Sequence, residues 1–198
     1  MSVNDNLVNM EYEAQVMVSA SEYNQIKADN LKISQICRVI RNENAYFDTP
    51  NLDITNHHMV LRVRKINDDK KELTLKIQRT DVCIEINHNL TPEQEKELYE
   101  TGRISNQPIR GMLMDSAISL RNIKYITSLK TERMEIQYNN YLLVLDKNYY
   151  RDIIDYNIEV ESTSEFEAKR ILKEILDSFG IEYRTNYINK AKRAISNN

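Results

Sequence analysis

The chain of 198 residues is long enough for one domain with a sizeable core, and its 41% hydrophobic and 29% charged residues exclude a disordered or fibrous protein. Its 27 basic and 30 acidic residues leave a net charge of −3, so no long-range field draws it to nucleic acid or anionic lipid. Only three glycines and three prolines are present, which argues against a glycine-rich phosphate loop or a Rossmann site.

Features that the sequence lacks bear on compartment and partners. Residues 1–10 contain no Lys or Arg and no long apolar run, unlike a signal peptide. No apolar stretch reaches the roughly 20 residues that span a bilayer. Cys37 and Cys83 are too few for a disulfide framework and lack metal-site spacing, so we expect reduced thiols. The expectation is a cytoplasmic protein with neither a membrane nor a nucleic-acid partner.

Strand-like runs occur in two groups, with helical segments between and after them. This arrangement predicts an α+β fold rather than alternating βαβ units. The predicted strands cover residues 9–18, 35–47, 59–67, 71–79, 82–88, 123–138, 141–150 and 154–162.

Helix starts are marked by capping patterns in which side chains satisfy unpaired backbone amides. The three starts are Ser19 with Glu22, Thr91 with Pro92, and Ser164 with Glu167. The second helix is predicted to run from Thr91 to Thr101, and the third to end at Gly180. The apolar face predicted for the third helix consists of Phe166, Ile171, Leu172, Ile175, Leu176 and Phe179.

Charged residues alternate with apolar ones along several predicted strands. Because a strand has a period of two, Leu73, Leu75 and Ile77 share one face and Thr74 and Lys76 the other. The polar faces repeat formal charges in four pairs: Glu11 with Glu13, Arg62 with Arg64, Arg133 with Glu135, and Glu159 with Glu161. Such a face most often meets water. However, adjacent like charges cost stability unless a counter-charge lies nearby. Faces turned into a barrel can hold metal on carboxylates and phosphate on cations.

A series of motifs gives the sequence a specific resemblance. In chain order they are Glu11-Tyr12-Glu13-Ala14-Gln15, Tyr46-Phe47-Asp48-Thr49-Pro50, Leu61-Arg62-Val63-Arg64, Leu73-Thr74-Leu75-Lys76, Thr131-Glu132-Arg133-Met134-Glu135, Leu145-Asp146-Lys147, Ile158-Glu159-Val160-Glu161 and Asn189-Lys190-Ala191-Lys192-Arg193. No single motif is specific. The ordered set resembles the CYTH domain, or triphosphate tunnel metalloenzyme family, over about residues 10–193, and is most similar to small stand-alone bacterial members.

The resemblance implies an eight-stranded antiparallel β-barrel, open as a triphosphate tunnel and flanked by α-helices. A single domain would occupy residues 1–198. The implied ligand is a triphosphate-containing small molecule, namely inorganic triphosphate, a nucleoside triphosphate or thiamine triphosphate. The implied cofactor is Mg²⁺ or Mn²⁺. Members of the family often pair as homodimers, although the sequence shows no decisive interface pattern.

The resemblance also assigns roles to charged residues. Metal ligands are expected from six carboxylates: Glu11, Glu13, Glu135, Asp146, Glu159 and Glu161. Triphosphate binding is expected from six cations: Arg62, Arg64, Lys76, Arg133, Lys147 and Lys190. The residues expected to act directly in hydrolysis are Glu11, Glu13, Arg62, Arg64 and Arg133. Lys147 has the opposite strand parity to Asp146, so both face inward only if the strand bulges or ends there.

One position departs from the family pattern and keeps alternatives open. Gln15 stands where the family usually has Lys, and a neutral amide binds phosphate less strongly than an ammonium group. The leading function is a metal-dependent triphosphatase. The alternatives are a class IV type adenylate cyclase, which would use the same charge pattern, and a triphosphate- or polyphosphate-binding sensor with catalysis reduced by Gln15.

Overall fold

The structure, a computed structural model, describes residues 6–33, 37–67, 70–80, 82–138, 140–184 and 188–196. Its strands are β1 (Asn6–Val18), β2 (Cys37–Asp48), β3 (Met59–Ile66), β4 (Lys70–Gln78), β5 (Cys83–Asn89), β6 (Lys124–Gln137), β7 (Leu142–Tyr150) and β8 (Ile153–Ser162). Its helices are α1 (Ala20–Ile33), α2 (Asp53–Asn56), α3 (Pro92–Thr101), α4 (Gln107–Asp115), α5 (Glu165–Ser178) and α6 (Lys190–Ser196).

The strands form a closed barrel in the order β1-β5-β4-β3-β2-β6-β7-β8. Antiparallel pairing joins β3 to β4, β4 to β5, β6 to β7, β7 to β8, and β8 back to β1. The expected fold class is therefore confirmed. Every predicted strand is present with its ends within about three residues of the observed bounds, the boundary error typical of such readings. Residues 35 and 36 of the predicted second strand lie outside the described residues.

The chain divides into two compact units. One comprises the described parts of 1–10, 43–129 and 190–198, and the other those of 11–42 and 130–189. In the first unit, apolar side chains of β2 to β5 pack against α2, α3 and α4. In the second, apolar side chains of β1, β6, β7 and β8 pack against α1 and α5. In each unit the helices cover the apolar strand face, so the opposite, polar face is the interior face of the closed barrel.

The predicted helix starts are confirmed by their hydrogen bonds. At α1, the Ser19 amide donates to Glu22 Oε2 at 2.6 Å, and the Glu22 amide donates to Ser19 Oγ at 3.2 Å. At α3, Thr91 forms the same reciprocal pattern with Gln94. At α5, Ser164 Oγ accepts from the Glu167 amide at 3.2 Å. None of the helices in the described ranges combines the length and apolar character needed to cross a membrane.

The apolar face predicted for α5 needs one correction. Ile171, Leu172 and Leu176 are buried, as expected, but the Phe166 side chain is 75% exposed. At about 100° per residue, Phe166 lies roughly 160° around the helix from Ala168, which takes the buried position in the first turn instead. The helix ends at Ser178, and Gly180 follows with φ of 67°, the left-handed conformation expected there.

The buried Asp48 explains the motif that follows β2. Its Oδ1 accepts from the amides of Thr49 at 2.7 Å and Ile54 at 2.9 Å, and its Oδ2 accepts from the amide and hydroxyl of Thr55. One carboxylate thus satisfies backbone donors at the start of α2, a helix that the sequence analysis did not predict. The role of Asp48 is structural.

Candidate metal and phosphate site

Six carboxylates lie on the interior strand face of the second unit, and we call them the acidic cluster. Its members are Glu11, Glu13, Glu135, Asp146, Glu159 and Glu161, which share this face by strand alternation. The β1–β8 register places Glu13 directly opposite Glu161. All six metal-ligand candidates therefore come from adjacent strands of one unit.

Arg133 is the cation within the acidic cluster. Its Nε and Nη2 donate to the two oxygens of the fully buried Asp146 at 3.0 and 2.9 Å, and Nη2 also donates to Glu159 at 3.3 Å. Burial alone would lower the pKa of Arg133, but Asp146 and Glu159 outweigh it and hold that pKa well above its ordinary value. Nε and Nη2 of Arg133 thus donate to carboxylates of two neighbouring strands, which orients the Asp146 and Glu159 side chains.

The remaining carboxylates repel one another. Burial raises the pKa of Glu161 to about 8, assisted by Glu159, Glu11 and Glu13 and opposed by Arg133. Several carboxylate oxygens on one strand face are the chemistry that suits Mg²⁺ or Mn²⁺. In the described part of the chain, no three carboxylate, imidazole or thiol groups are already gathered at metal-binding distance. The donor set fits a hard divalent cation by its chemistry, and the ion would have to draw the oxygens together.

Basic side chains lie on the interior strand face of the first unit. Arg62 and Arg64 project from β3 and Lys76 from β4. The buried Tyr46 is affected electrostatically by Arg62 and Arg64 and also by Lys190 and Arg193 of α6. We call these five side chains the cationic cluster. Fixed cations of this kind bind phosphate oxygens, and arginine adds a planar fork.

Glu85 of β5 holds two members of the cationic cluster. Its Oε1 lies 3.4 Å from Arg62 Nη2 and 3.1 Å from Lys76 Nζ, and the residue is 4% exposed. Burial alone would raise the pKa of Glu85, but Arg62, Lys76 and Arg64 together hold it well below its ordinary range. Separately, Arg64 Nε donates to Asn44 Oδ1 at 3.1 Å. Neighbouring side chains thus orient Arg62, Lys76 and Arg64.

Sequence reasoning gave no role to Glu85 or Arg193. Glu85 alternates with the apolar Ile84 and Ile86, so its interior face was readable, but its two partners lie on other strands. Arg193 is buried on α6 together with Ala191, a placement that depends on how that short helix packs. The nearest signal was the basic composition of residues 189–193.

Lys147 does not join the cationic cluster. Its ammonium lies 5.0 Å from the ring centre of Tyr149 and 6.0 Å from that of Tyr156. Tyr156 packs with the apolar core beneath the helices of the second unit, on the outer face of the barrel strands. β7 is a regular strand through Tyr150, so the side chains of Lys147 and Asp146 project from opposite faces. We therefore leave Lys147 out of the triphosphate-binding set.

A ladder of polar side chains that includes one carboxylate, Asp155, continues the interior face beyond Asp146. The Thr131 hydroxyl donates to Asn148 Oδ1, and Asn148 Nδ2 donates to Asp155 and Asn157, all at 2.9 Å. The Tyr150 hydroxyl donates to Asp155 at 2.7 Å. Such a buried network fixes the register of β6, β7 and β8, which in turn aligns the acidic cluster.

Gln15 lies opposite Glu159 in the β1–β8 register. Its Oε1 is buried and has no hydrogen-bond partner among the described residues. A buried, unsatisfied carbonyl oxygen beside carboxylates costs free energy that a bound cation could recover. The departure from Lys therefore leaves this point of the acidic cluster without a fixed positive charge.

Comparison with known proteins agrees with this geometry. The family profile described as CYTH domain matches residues 9–194. YjbK of Bacillus subtilis, a proposed triphosphatase, is 32% identical over 144 residues, covering 72% of this chain and 73% of YjbK. A proposed adenylate cyclase from Bacillus halodurans has a crystal structure with a TM-score of 0.82 and 29% identity, covering 94% of this chain and 97% of that one.

A more distant structural likeness concerns the fold alone. HpAC1 of Hippeastrum, a proposed adenylyl cyclase with a dominant triphosphatase activity, has a TM-score of 0.76 and 20% identity, covering 95% of each chain. The closed eight-stranded barrel and the profile match over residues 9–194 lead to the same assignment. The chain belongs to the CYTH domain family.

Proposed function

We propose that this chain is a metal-dependent triphosphatase acting on inorganic triphosphate, a nucleoside triphosphate or thiamine triphosphate. One observation carries the proposal: interior strand faces bear a set of fixed cations in one unit and a set of repelling carboxylates in the other. A substrate rich in anionic oxygens and a divalent cation are the two ligands that such faces require. The likeness to the proposed triphosphatase YjbK supports the same activity.

The cationic cluster would bind the phosphate oxygens. Arg62 and Lys76 already share Glu85, so a phosphate oxygen would meet two cations held in place. Arg64 and Lys190 would extend the binding set, the first with a planar fork and the second with a compact ammonium. Pre-positioned donors of this kind stabilise charge without reorganising during the reaction.

The acidic cluster would bind Mg²⁺ or Mn²⁺, with Glu11, Glu13, Glu159 and Glu161 as ligands and Glu135 and Asp146 as further oxygen donors. When bound, the metal would supply Lewis-acid stabilisation of charge on the phosphate oxygens. Arg133 would position Asp146 and Glu159 and would oppose their repulsion. In the reaction, a water oxygen bonds to the terminal phosphorus and the bridging P–O bond breaks. The departing pyrophosphate or organic diphosphate keeps the electron pair of that bond, and the proton lost by the water passes to the solvent.

The test is product analysis with matched lysine variants. Purified protein is incubated with tripolyphosphate, ATP or thiamine triphosphate in Mg²⁺ or Mn²⁺, and orthophosphate is measured. Lys76→Ala should lower kcat/KM by about 100-fold, because it removes a charge-assisted contact on the interior face. Lys147→Ala removes the same group from the outer face and should stay within about twofold of wild type.

The same assay separates the alternatives. Cyclic AMP with pyrophosphate as the products of ATP would replace the proposal with the cyclase. Metal-dependent binding of the triphosphate without turnover would instead support the sensor. Gln15 would then be the first residue to substitute with Lys. Equal activity of the two lysine variants would refute the proposed phosphate-binding set.

The cytoplasmic location and the homodimer expected from the sequence are part of the same proposal. Light scattering on purified protein tests the homodimer, and cell fractionation tests the location. A strictly monomeric protein would remove the homodimer from the proposal and leave the assigned site unaffected.

A further inference from the structure

Tyr46 is a polar side chain on the interior face that the catalytic assignment does not use. It alternates on β2 with Ala45 and Phe47, which belong to the apolar core beneath the helices of the first unit. Tyr46 therefore points to the opposite face, and it is only 3% exposed. The ring is therefore buried on the interior face of β2, next to the strand that carries Arg62 and Arg64.

Four cations act electrostatically on Tyr46. Arg62 and Arg64 belong to β3, the strand next to β2 in the barrel, and Lys190 and Arg193 belong to α6. Burial raises the pKa of Tyr46 above its ordinary value, although all four cations oppose this shift. Because a raised pKa keeps the phenol protonated, the hydroxyl carries its proton throughout the neutral range.

The protonated hydroxyl lacks an acceptor in its surroundings. Guanidinium and ammonium groups only donate hydrogen bonds, so none of the four cations can accept the Tyr46 proton. Among the described residues the Tyr46 hydroxyl forms no hydrogen bond, and its oxygen is not one of the fully buried side-chain atoms that lack a partner, so a ligand on the interior face can reach it. A hydroxyl donor among cations favours an acceptor that is itself attracted to the cations, and a phosphate oxygen meets both conditions.

We propose that the Tyr46 hydroxyl donates a hydrogen bond to a phosphate oxygen of the bound triphosphate, beside Arg62 and Arg64. The inference rests on the proposed function, because the triphosphate is the ligand assigned there to the cationic cluster. Unlike the surrounding charges, the neutral hydroxyl forms a directional hydrogen bond. It therefore favours a ligand that places an oxygen at the hydroxyl over an anion that is held by charge alone. Tyr46 is thereby a substrate-binding residue in addition to those assigned above.

The test removes only the hydroxyl. Tyr46→Phe is compared with Tyr125→Phe, which deletes the same atom from a side chain that is 42% exposed on the outside. Tripolyphosphate binding is measured by calorimetry in EDTA, where metal-dependent turnover is blocked, and kcat and KM are measured in Mg²⁺. Tyr46→Phe should weaken binding and lower kcat/KM by about 10- to 100-fold, whereas Tyr125→Phe should change neither.

The outcomes distinguish this proposal from the function on which it rests. If wild type hydrolyses tripolyphosphate and Tyr46→Phe stays within twofold of it in binding and kcat/KM, only the role of Tyr46 is overturned. Binding without hydrolysis by wild type, still weakened by Tyr46→Phe, would support Tyr46 and overturn the triphosphatase. Absence of both binding and hydrolysis in wild type would overturn both.

A second measurement covers the case in which Tyr46→Phe fails to fold. Site-specific 3-fluorotyrosine at position 46 reports on the hydroxyl through its ¹⁹F resonance, with the same label at position 125 as the control. Tripolyphosphate should shift the signal from position 46 and leave that from position 125 in place. An unmoved signal at position 46 under saturating tripolyphosphate would contradict the proposal.

Discussion

Glu85→Gln tests the electrostatic design of the cationic cluster. The carboxylate is 4% exposed and lies 3.4 Å from Arg62 and 3.1 Å from Lys76. Removing one partner of a buried ion pair costs about 3–5 kcal/mol, because the other charge remains buried. Lys76 is 21% exposed at its side chain and keeps some water, so we expect the lower end, about 3 kcal/mol at pH 7.

The pH dependence has a defined sign. The folded-state pKa of Glu85 is depressed below its ordinary value of 4.5, so its stabilising effect is present above pH 4.5 and is lost as the pH falls through the folded-state pKa. The stability difference between wild type and Glu85→Gln should therefore be largest near neutral pH and shrink in strong acid. If the pKa of Glu85 were equally low in the unfolded chain, the stability difference between wild type and Glu85→Gln would not change with pH.

Urea denaturation at pH 7 and at progressively lower pH measures this difference through the midpoint and the m-value. Glu97→Gln is the matched control, because Glu97 pairs with Arg103 at 2.8 Å on an exposed surface, where an ion pair contributes about 0–1 kcal/mol. Equal destabilisation by the two variants would refute the reasoning, as would a stability gap for Glu85→Gln that widens in acid.

Four further predictions concern other positions. Arg133→Met should destabilise the protein by about 3 kcal/mol in thermal or urea unfolding, because it leaves Asp146 buried without its bidentate partner; an effect below 1 kcal/mol would contradict this. Asp48→Ala should cost about 2 kcal/mol through lost caps at α2, and calorimetry showing no loss would count against that role. Glu161→Gln should raise the unfolding temperature in EDTA, because it removes a carboxylate whose pKa is raised to about 8. The same variant should show a smaller further rise in unfolding temperature when Mn²⁺ is added, and an unchanged Mn²⁺ effect would remove Glu161 from the ligand set. Gln15→Lys should increase kcat/KM for tripolyphosphate by about tenfold, since it places an ammonium beside Glu159, and unchanged kinetics would show that the amide is neutral for catalysis.

The strands were predictable because one face of each is apolar and the other polar. Apolar and polar residues alternate over 61–64 of β3 and 73–78 of β4, so the interior residues Arg62 and Lys76 could be read from the sequence. The capped starts of α1, α3 and α5 were equally local signals. Local patterns of this kind do not depend on which strands become neighbours.

The errors and omissions have a common physical origin in tertiary packing. Phe166 fits an apolar stripe in composition, yet its angle on α5 turns it outward. The occupation of Arg133 by Asp146 and Glu159 depends on the β6–β7–β8 register. The burial of Arg193 depends on where α6 packs. The outward orientation of Lys147, by contrast, follows from strand alternation, because β7 is regular through Asp146.

The central claim is that the acidic cluster binds metal and the cationic cluster binds the phosphates. The most direct measurement is a crystal structure of the protein with tripolyphosphate and Mn²⁺. We expect Mn²⁺ on oxygens of Glu11, Glu13, Glu159 or Glu161, and phosphate oxygens on Arg62, Arg64 and Lys76. Tripolyphosphate bound only on the outer face of the barrel, with Mn²⁺ absent from these carboxylates, would contradict it.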